Sequence, residues 1–355
     1  MLDLKRILLT LILTTLANRT TSNFVKAQAK LIAAFQSSEL RYRYPATYLA
    51  LKAVSNIMLP NYEELRKRED RAVETNYALR AKRTLGSART HNHTGVKNDT
   101  GVLTPTWTTY ADPFNMSLKQ ADTSLYDAQE QMNQEVMNVI ANFMEGYETA
   151  ATAFLFANRS GVNIATAEGT FDAVDKVYEI VAAKETRAMQ ITMIAVDANK
   201  YPAGSTVFCD SISYAKFQYQ AAQGAGNATN LSFQFQGLTF VHSVELGALA
   251  AALVSAYANG FWIVVPTGTA AVLPWIPKQN RIGVETKENV YTSLLNPVDG
   301  ETYAVHSYET RADDSANNGY TQDVVTQYQI SQDLAFAKAP LSTANETPFL
   351  AFAIV

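Results

Sequence analysis

Ser117–Asn158, SLKQADTSLYDAQEQMNQEVMNVIANFMEGYETAATAFLFAN, decides how the rest of this 355-residue chain is read. It holds no proline, and Leu118, Leu125, Met132, Val136, Val139, Ile140, Phe143, Met144, Tyr147, Ala151, Phe154 and Leu155 recur at steps of three, four and seven. That spacing lays an apolar stripe along one helix. Ser117 and Gln120 form an S-x-x-Q capping box just after Asp112-Pro113, and Gly161 follows the predicted end. At about 1.5 Å per residue the rod is roughly 60 Å long, about twice the diameter of a small domain. A compact catalytic core seldom needs such an element.

Working outward, the Thr84–Ser117 run is rich in threonine, with eight, and holds three glycines, two prolines and no helical period. It predicts an extended loop or β-hairpin, with a turn at Asp99-Thr-Gly101 and strand formers at Trp107, Thr108, Thr109 and Tyr110. A loop this long in a compact domain is expected to be functional, and an element reaching a neighbour satisfies that. Before it, Asn61–Arg83 interleaves acids with Arg66, Lys67, Arg68, Arg71, Arg80, Lys82 and Arg83, which predicts a charged, wet helix. Leu40–Pro60 mixes Tyr, Arg and aliphatic residues as a segment packed on another surface does. Phe24–Phe35 has an amphipathic helical pattern. Lys5-Arg6 followed by the apolar Ile7–Ala17 has the layout of a secretory signal, but the run is too short to span a bilayer. The reading preferred here is an amphipathic arm that docks on protein.

After the long helix, Phe171–Ala195 predicts a second helix, with Phe171, Val174, Tyr178 and Val181 on its buried side. The texture then turns α/β: a strand at Thr206–Cys209, a helix near Ile212–Ala222, and a strand pair either side of Gly237. An alanine-rich helix at Gly247–Asn259 and a core strand at Phe261–Val265 follow. Leu273–Gly283, LPWIPKQNRIG, is expected as a loop, and strands are expected at Tyr303–Tyr308, Val324–Ile330 and the terminal Phe349–Val355. A chain ending on an apolar strand has its last residues inside a sheet.

Charge is divided unevenly. Residues 1–97 carry 17 Lys and Arg against 7 Asp and Glu, a net +10, whereas the remainder carries 12 against 26, a net −14. A basic third on an acidic body fits contact with nucleic acid or with the acidic surface of another copy; a solvated basic face is the plain alternative. One cysteine, Cys209, excludes an internal disulfide framework and multi-cysteine metal sites, and is read as a small buried hydrophobe. His91-Asn-His93 has no Cys, Asp or Glu within four residues on either side, and His242 and His306 fall in strand patterns. Asp313-Asp314 and the Asp172, Asp175 pair lack a convergent partner. No G-x-S-x-G, P-loop, H-E-x-x-H or G-x-G-x-x-G occurs. No cofactor, no metal and no catalytic residue is expected.

Taken in order, a basic arm, a Thr/Gly-rich extended loop, a long helix and an α/β region ending in β structure resemble the major capsid proteins of tailed bacteriophages, the Hong Kong 97 fold. STVFCDSISYAKFQYQAAQG is similar to the strand and helix with which that family enters its axial (A) domain, and FQFQGLTFVHS to the strand pair that follows. LPWIPKQNRIG is similar to a loop of phages with Bacteroidetes hosts. The resemblance implies an α+β fold: an arm (1–83), an extended E-loop (84–116), a peripheral (P) domain (117–195) with its spine helix at 117–158, an A domain (196–322), and C-terminal strands (323–355) returning to the P domain. It implies a structural, non-enzymatic function in the virion. Copies made in the host cytoplasm assemble as hexamers and pentamers of an icosahedral head around double-stranded DNA, with portal and decoration or scaffolding proteins as partners and no membrane. Arg66, Lys67, Arg68, Arg71, Arg80, Lys82, Arg83, Trp107, Tyr110 and Trp275 are the expected assembly residues. Gly146, costly in mid-helix, is expected to mark a bend or a close contact in the assembled shell. An encapsulin-type shell around a cargo enzyme is the alternative within the fold. A secreted surface protein using residues 1–17 as a signal is the alternative outside it.

Overall fold

The computed structural model describes residues 19–59, 61–71, 74–79, 98–117, 127–161, 168–201, 204–221, 232–235, 237–286, 289–312, 323–340 and 347–355. The chain opens with helices α1 (Arg19–Gln36), α2 (Ala46–Met58) and α3 (Tyr62–Lys67). Strands β1 (Thr75–Leu79), β2 (Asp99–Leu103) and β3 (Thr106–Ser117) lead to the long helix α4 (Ala128–Ala157). Then come β4 (Thr170–Asp172), β5 (Val177–Ile180), α5 (Ala188–Ala198), β6 (Ser205–Cys209), α6 (Ser211–Ala221), β7 (Ser232–Phe235), β8 (Leu238–His242), α7 (Val244–Leu253) and β9 (Phe261–Pro266). The last part holds β10 (Ala270–Trp275), α8 (Lys278–Ile282), β11 (Val284–Glu285), β12 (Asn289–Leu295), β13 (Thr302–Ala312), β14 (Asp323–Lys338) and β15 (Leu350–Ile354). The fold is α+β.

Two sheets flank α4. One has seven strands in the order β4-β5-β15-β9-β6-β8-β7, and the other runs β10-β14-β13-β12-β11 with β3 paired along β14. Period-two alternation splits the first sheet's side chains: Val207, Trp262, Val264 and Phe352 face α5 and α6, whereas Phe261, Ile263, Ala351 and Ala353 join the core that contains α4. On its other side α4 lays Phe143 edge-on to Tyr303 of β13 at 4.9 Å and Phe154 in a stack on Phe336 of β14 at 5.1 Å. The apolar stripe is therefore filled from both sheets. The C-terminal strand β15 sits between β5 and β9 with all five residues buried, as its composition predicts.

Several boundaries differ from expectation. The long helix begins at Ala128, not Ser117: the Asp127 carboxylate accepts from Glu130 N at 2.7 Å and caps it, while Ser117 ends β3 opposite Val325. Residues 118–120 of the expected capping box lie outside the described residues. The helix expected over 171–195 is β4, β5, a 3-10 turn and α5, because Val177, Tyr178 and Ile180 are recruited into the sheet beside β15, and Val174 is exposed instead of buried. The helix expected over 61–83 ends at Lys67. Asp99-Thr-Gly101 is strand, not turn; Gly101 lies under the Tyr77 ring, where a Cβ would come within 2.6 Å of ring atoms. Pro274, expected in a loop, lies in β10, an edge strand of its sheet, where a missing N–H is tolerated. Sheet membership also cuts across the expected segments: within 196–322, β6–β9 belong to one sheet and β10–β13 to the other, and β3 of the expected 84–116 loop is a sheet strand.

Candidate assembly surfaces

The most strongly built surface feature is the base from which β1 and β2 leave the body. Leu59, Tyr62 and Leu65 pack on Ala271 and Leu273 of β10 and on Ala335 and Ala337 of β14, with Leu103 and Trp107 closing the edge. Over this apolar floor runs the irregular segment 68–71, held by its carbonyls. Trp275 Nε1 donates to Arg68 O at 2.9 Å, Arg281 Nη2 to the same oxygen at 2.6 Å, and Trp107 Nε1 to Arg71 O at 2.7 Å. Arg71 in turn lies 5.9 Å over the Trp275 ring and 3.5 Å from the Asp333 carboxylate. Two indoles and a guanidinium thus fix the direction in which the hairpin departs. Beyond the base, β1 and β2 pair only with each other among the described residues.

Arg66 is engaged at the same base. Glu301, whose side chain is 4% exposed, pairs with Lys52 of α2 and with Arg66, which also meets Glu63. Next to it Asp299 accepts from Tyr303 OH at 2.9 Å, Tyr48 OH at 3.2 Å and Glu301 N at 2.9 Å. Burial raises the Asp299 carboxyl despite Lys52 nearby.

The structure thus brings Arg66, Arg68, Arg71, Trp107 and Trp275 together from the expected assembly set, with Lys67 exposed beside them. Arg66 and Arg71 make ion pairs within the subunit, and Trp275 is 8% exposed, so their contacts here are internal. Tyr110 lies apart, edge-on to Tyr147 at 5.3 Å. Arg80, Lys82 and Arg83 lie outside the described residues.

The N-terminal helices do not reach away. Phe24, Ala27, Leu31 and Ala34 of α1 are buried in the core around α4, as are Tyr48 and Leu51 of α2. Glu148 of α4 caps α2 from across the core. Its carboxylate accepts from Thr47 Oγ1 at 2.6 Å, Thr47 N at 2.9 Å and Tyr48 N at 3.3 Å, replacing a cap that Pro45 cannot supply. Burial raises the Glu148 carboxyl more than these bonds lower it. Arg43 pairs with Glu245 of α7, and Thr152 meets Ser243 at 3.0 Å. Sequence reasoning missed Glu148, Asp299, Glu301 and Arg281. The one available signal was Glu148 itself, an acid directly after Tyr147 on the predicted buried side of the helix.

Reactive constellations are sparse. Ser211 Oγ and His242 Nε2 lie 3.0 Å apart at the ends of β6 and β8, but Ser211 opens α6 and the neighbouring Asp210 carboxylate accepts from Ser213 N. Burial lowers the His242 pKa. No group of His, Cys, Asp and Glu suited to a metal occurs among the described residues, and no helix among them is long and apolar enough to cross a membrane.

No family model matches the sequence, and no curated protein matches it. Solved structures that resemble the chain include the capsid asymmetric unit of cyanophage Pam1, at 12% identity over 82% of this chain and 87% of that one, with a TM-score of 0.46. A structure from Mycobacterium phage Bobi matches at 12% identity over 89% and 92%, TM-score 0.46. The mature capsid of bacteriophage PhiM1 matches at 15% over 80% and 82%, TM-score 0.41. These are distant likenesses in chain path.

Proposed function

We propose that the chain is the shell subunit of a tailed-phage head with a Hong Kong 97-like fold, assembling as hexamers and pentamers around double-stranded DNA. The observation that carries this reading is the β1–β2 hairpin on its braced base. A two-stranded ribbon with no other sheet partner is marginal by itself in water, and a rigid base is useful when the ribbon's binding surface is on another molecule. The intervening residues 80–97 hold five Lys and Arg and no acid, and residues 98–355 of a neighbouring copy carry a net −14. The ribbon would lie over the region of a neighbour's α4. Many such modest contacts, repeated over a shell, give stability without a catalytic cluster. Residues 1–18, outside the described residues, together with 80–97 supply basic groups for a neighbour or for DNA by non-specific attraction. Portal and decoration proteins, and assembly in the host cytoplasm, belong to the same proposal. The host expected from Leu273–Gly283 finds no support among the similar structures, and no host is proposed.

The test is expression of the full chain and of a variant in which 75–103 is replaced by a short linker, followed by negative-stain microscopy. Closed particles from the full chain and none from the variant are expected. Absence of particles from both overturns the shell reading. Particles carrying one cargo protein and no nucleic acid in the native host would move it to the encapsulin alternative.

A further inference from the structure

Between α3 and the sheet lies a half-open cavity of about 320 Å³, bounded on the sheet side by Trp275, Ile276 and Leu295. Arg66, Lys67 and Arg281 stand around it, against Glu63 and Glu301. Both carboxylates are occupied, Glu301 by Lys52 and Arg66 and Glu63 by Arg66. Glu69, which follows Lys67 and Arg68, is held by Lys278. Lys67 and Arg281 make no ion pair among the described residues. Arg281 gives its Nη atoms to the carbonyls of Arg66 and Arg68, and its buried Nε–H has no hydrogen-bond partner among the described residues. The space holds about ten water volumes, enough for a side chain. Its apolar wall suits a methylene stem, and its surplus of positive charge suits a carboxylate at the tip.

We infer that this cavity is a receptor for an aspartate or glutamate side chain of a second copy of the chain. The occupant follows from charge: residues 98–355 carry 26 acids against 12 bases, so acidic side chains are what a neighbouring copy offers in excess. The cavity also opens beside the base of the hairpin through which copies are proposed to meet. The inference rests on the shell reading for its occupant, but the carboxylate chemistry is testable without it.

The experiment compares full-length wild type with Lys67→Glu, a change at an exposed position that leaves the braces of segment 68–71 intact. Thermal melts confirm equal folding. Light scattering then follows assembly with and without millimolar citrate, a tricarboxylate probe, against sodium chloride of equal ionic strength. Expected are an assembly onset at least tenfold higher in protein concentration for Lys67→Glu, and an onset raised several-fold by citrate in the wild type only. Identical onsets and no citrate effect overturn the inference while leaving the shell reading intact. If the wild type forms no particles, the shell reading fails instead, and the cavity is decided on the isolated subunit. A citrate-dependent rise in Tm, absent in Lys67→Glu, supports the carboxylate site, and equal responses overturn it.

Discussion

Helices α1 and α2, strand β1 and the 80–97 connection of the hairpin lie within the basic residues 1–97, with β2 just beyond, yet helices and hairpin are held in opposite ways. The helices bury Phe24, Leu31, Tyr48 and Leu51 in the subunit's own core, and α2 is capped by Glu148 from the long helix. The hairpin has a braced base and beyond it, among the described residues, its two strands pair only with each other. The former region is part of what makes the subunit fold; the latter is the element proposed to find its partner on another copy. Burial decides between the two, not charge.

The largest effects should come from removing each region. Deleting residues 1–36 uncovers the apolar side of α4 that α1 fills, and the melt by circular dichroism is expected to lose its cooperative transition. Replacing 75–103 should move Tm by only a few degrees, since Thr75 and Leu103 are cross-strand neighbours that a short linker can join. A truncated chain lacking α1 that still melts cooperatively would break the contrast and make α1 an exchangeable arm.

Next in size is Glu148. In Glu148→Ala the buried donors Thr47 N and Tyr48 N lose their acceptor, at about 1–3 kcal/mol for each stranded group. Glu148→Gln keeps one amide oxygen for the two backbone donors, and its NH₂ can donate to the Thr47 hydroxyl, so its loss in urea melts should be well under half that of alanine. Equal losses would mean that the charge, not the cap, is what matters.

A smaller effect follows from pH. Burial places the folded Glu148 pKa above the ordinary carboxylate value, so the folded state holds its proton more tightly than the unfolded chain does. The group's contribution is complete below the unfolded pKa and is lost as pH rises through the folded one. The stability of the wild type relative to Glu148→Gln should therefore grow as pH falls from 7 towards 4.5. A gap that narrows over that range contradicts the assignment.

What the residues alone carried was set by period and punctuation. The stripe from Met132 to Leu155 and the five-residue C-terminal strand are local patterns, and they survived in the folded chain. Phe171–Ile180 did not, because its helical spacing was overruled by a place beside β15, where Tyr178 pairs with Phe352, 174 residues away in sequence. Gly101 looked like a turn residue because nothing nearby in sequence shows that Tyr77 must lie over it. At the hairpin base, Trp107 and Trp275 were legible as candidates from their type. Their acceptors are backbone carbonyls of residues 68 and 71, and Arg281, Asp333 and Glu301 come from a helix, a strand and a loop distant in sequence. No local pattern encodes such pairs.

Gly146 gives the finest test of the contrast, because it separates the folded subunit from its assembly on a single carbon atom. A Cβ added there meets nothing within 4 Å in the subunit. Alanine should therefore stabilise the helix by about 0.5–1 kcal/mol, raising Tm by about 1–2 °C for a chain of this length. If the exposed side of α4 receives a neighbour's hairpin closely at this point, the same methyl intrudes on the contact. Gly146→Ala is expected to melt higher as a free subunit and to need a higher concentration to assemble. Improvement in both measurements would remove Gly146 from the interface, leaving it a position where the helix carries a destabilising residue without return.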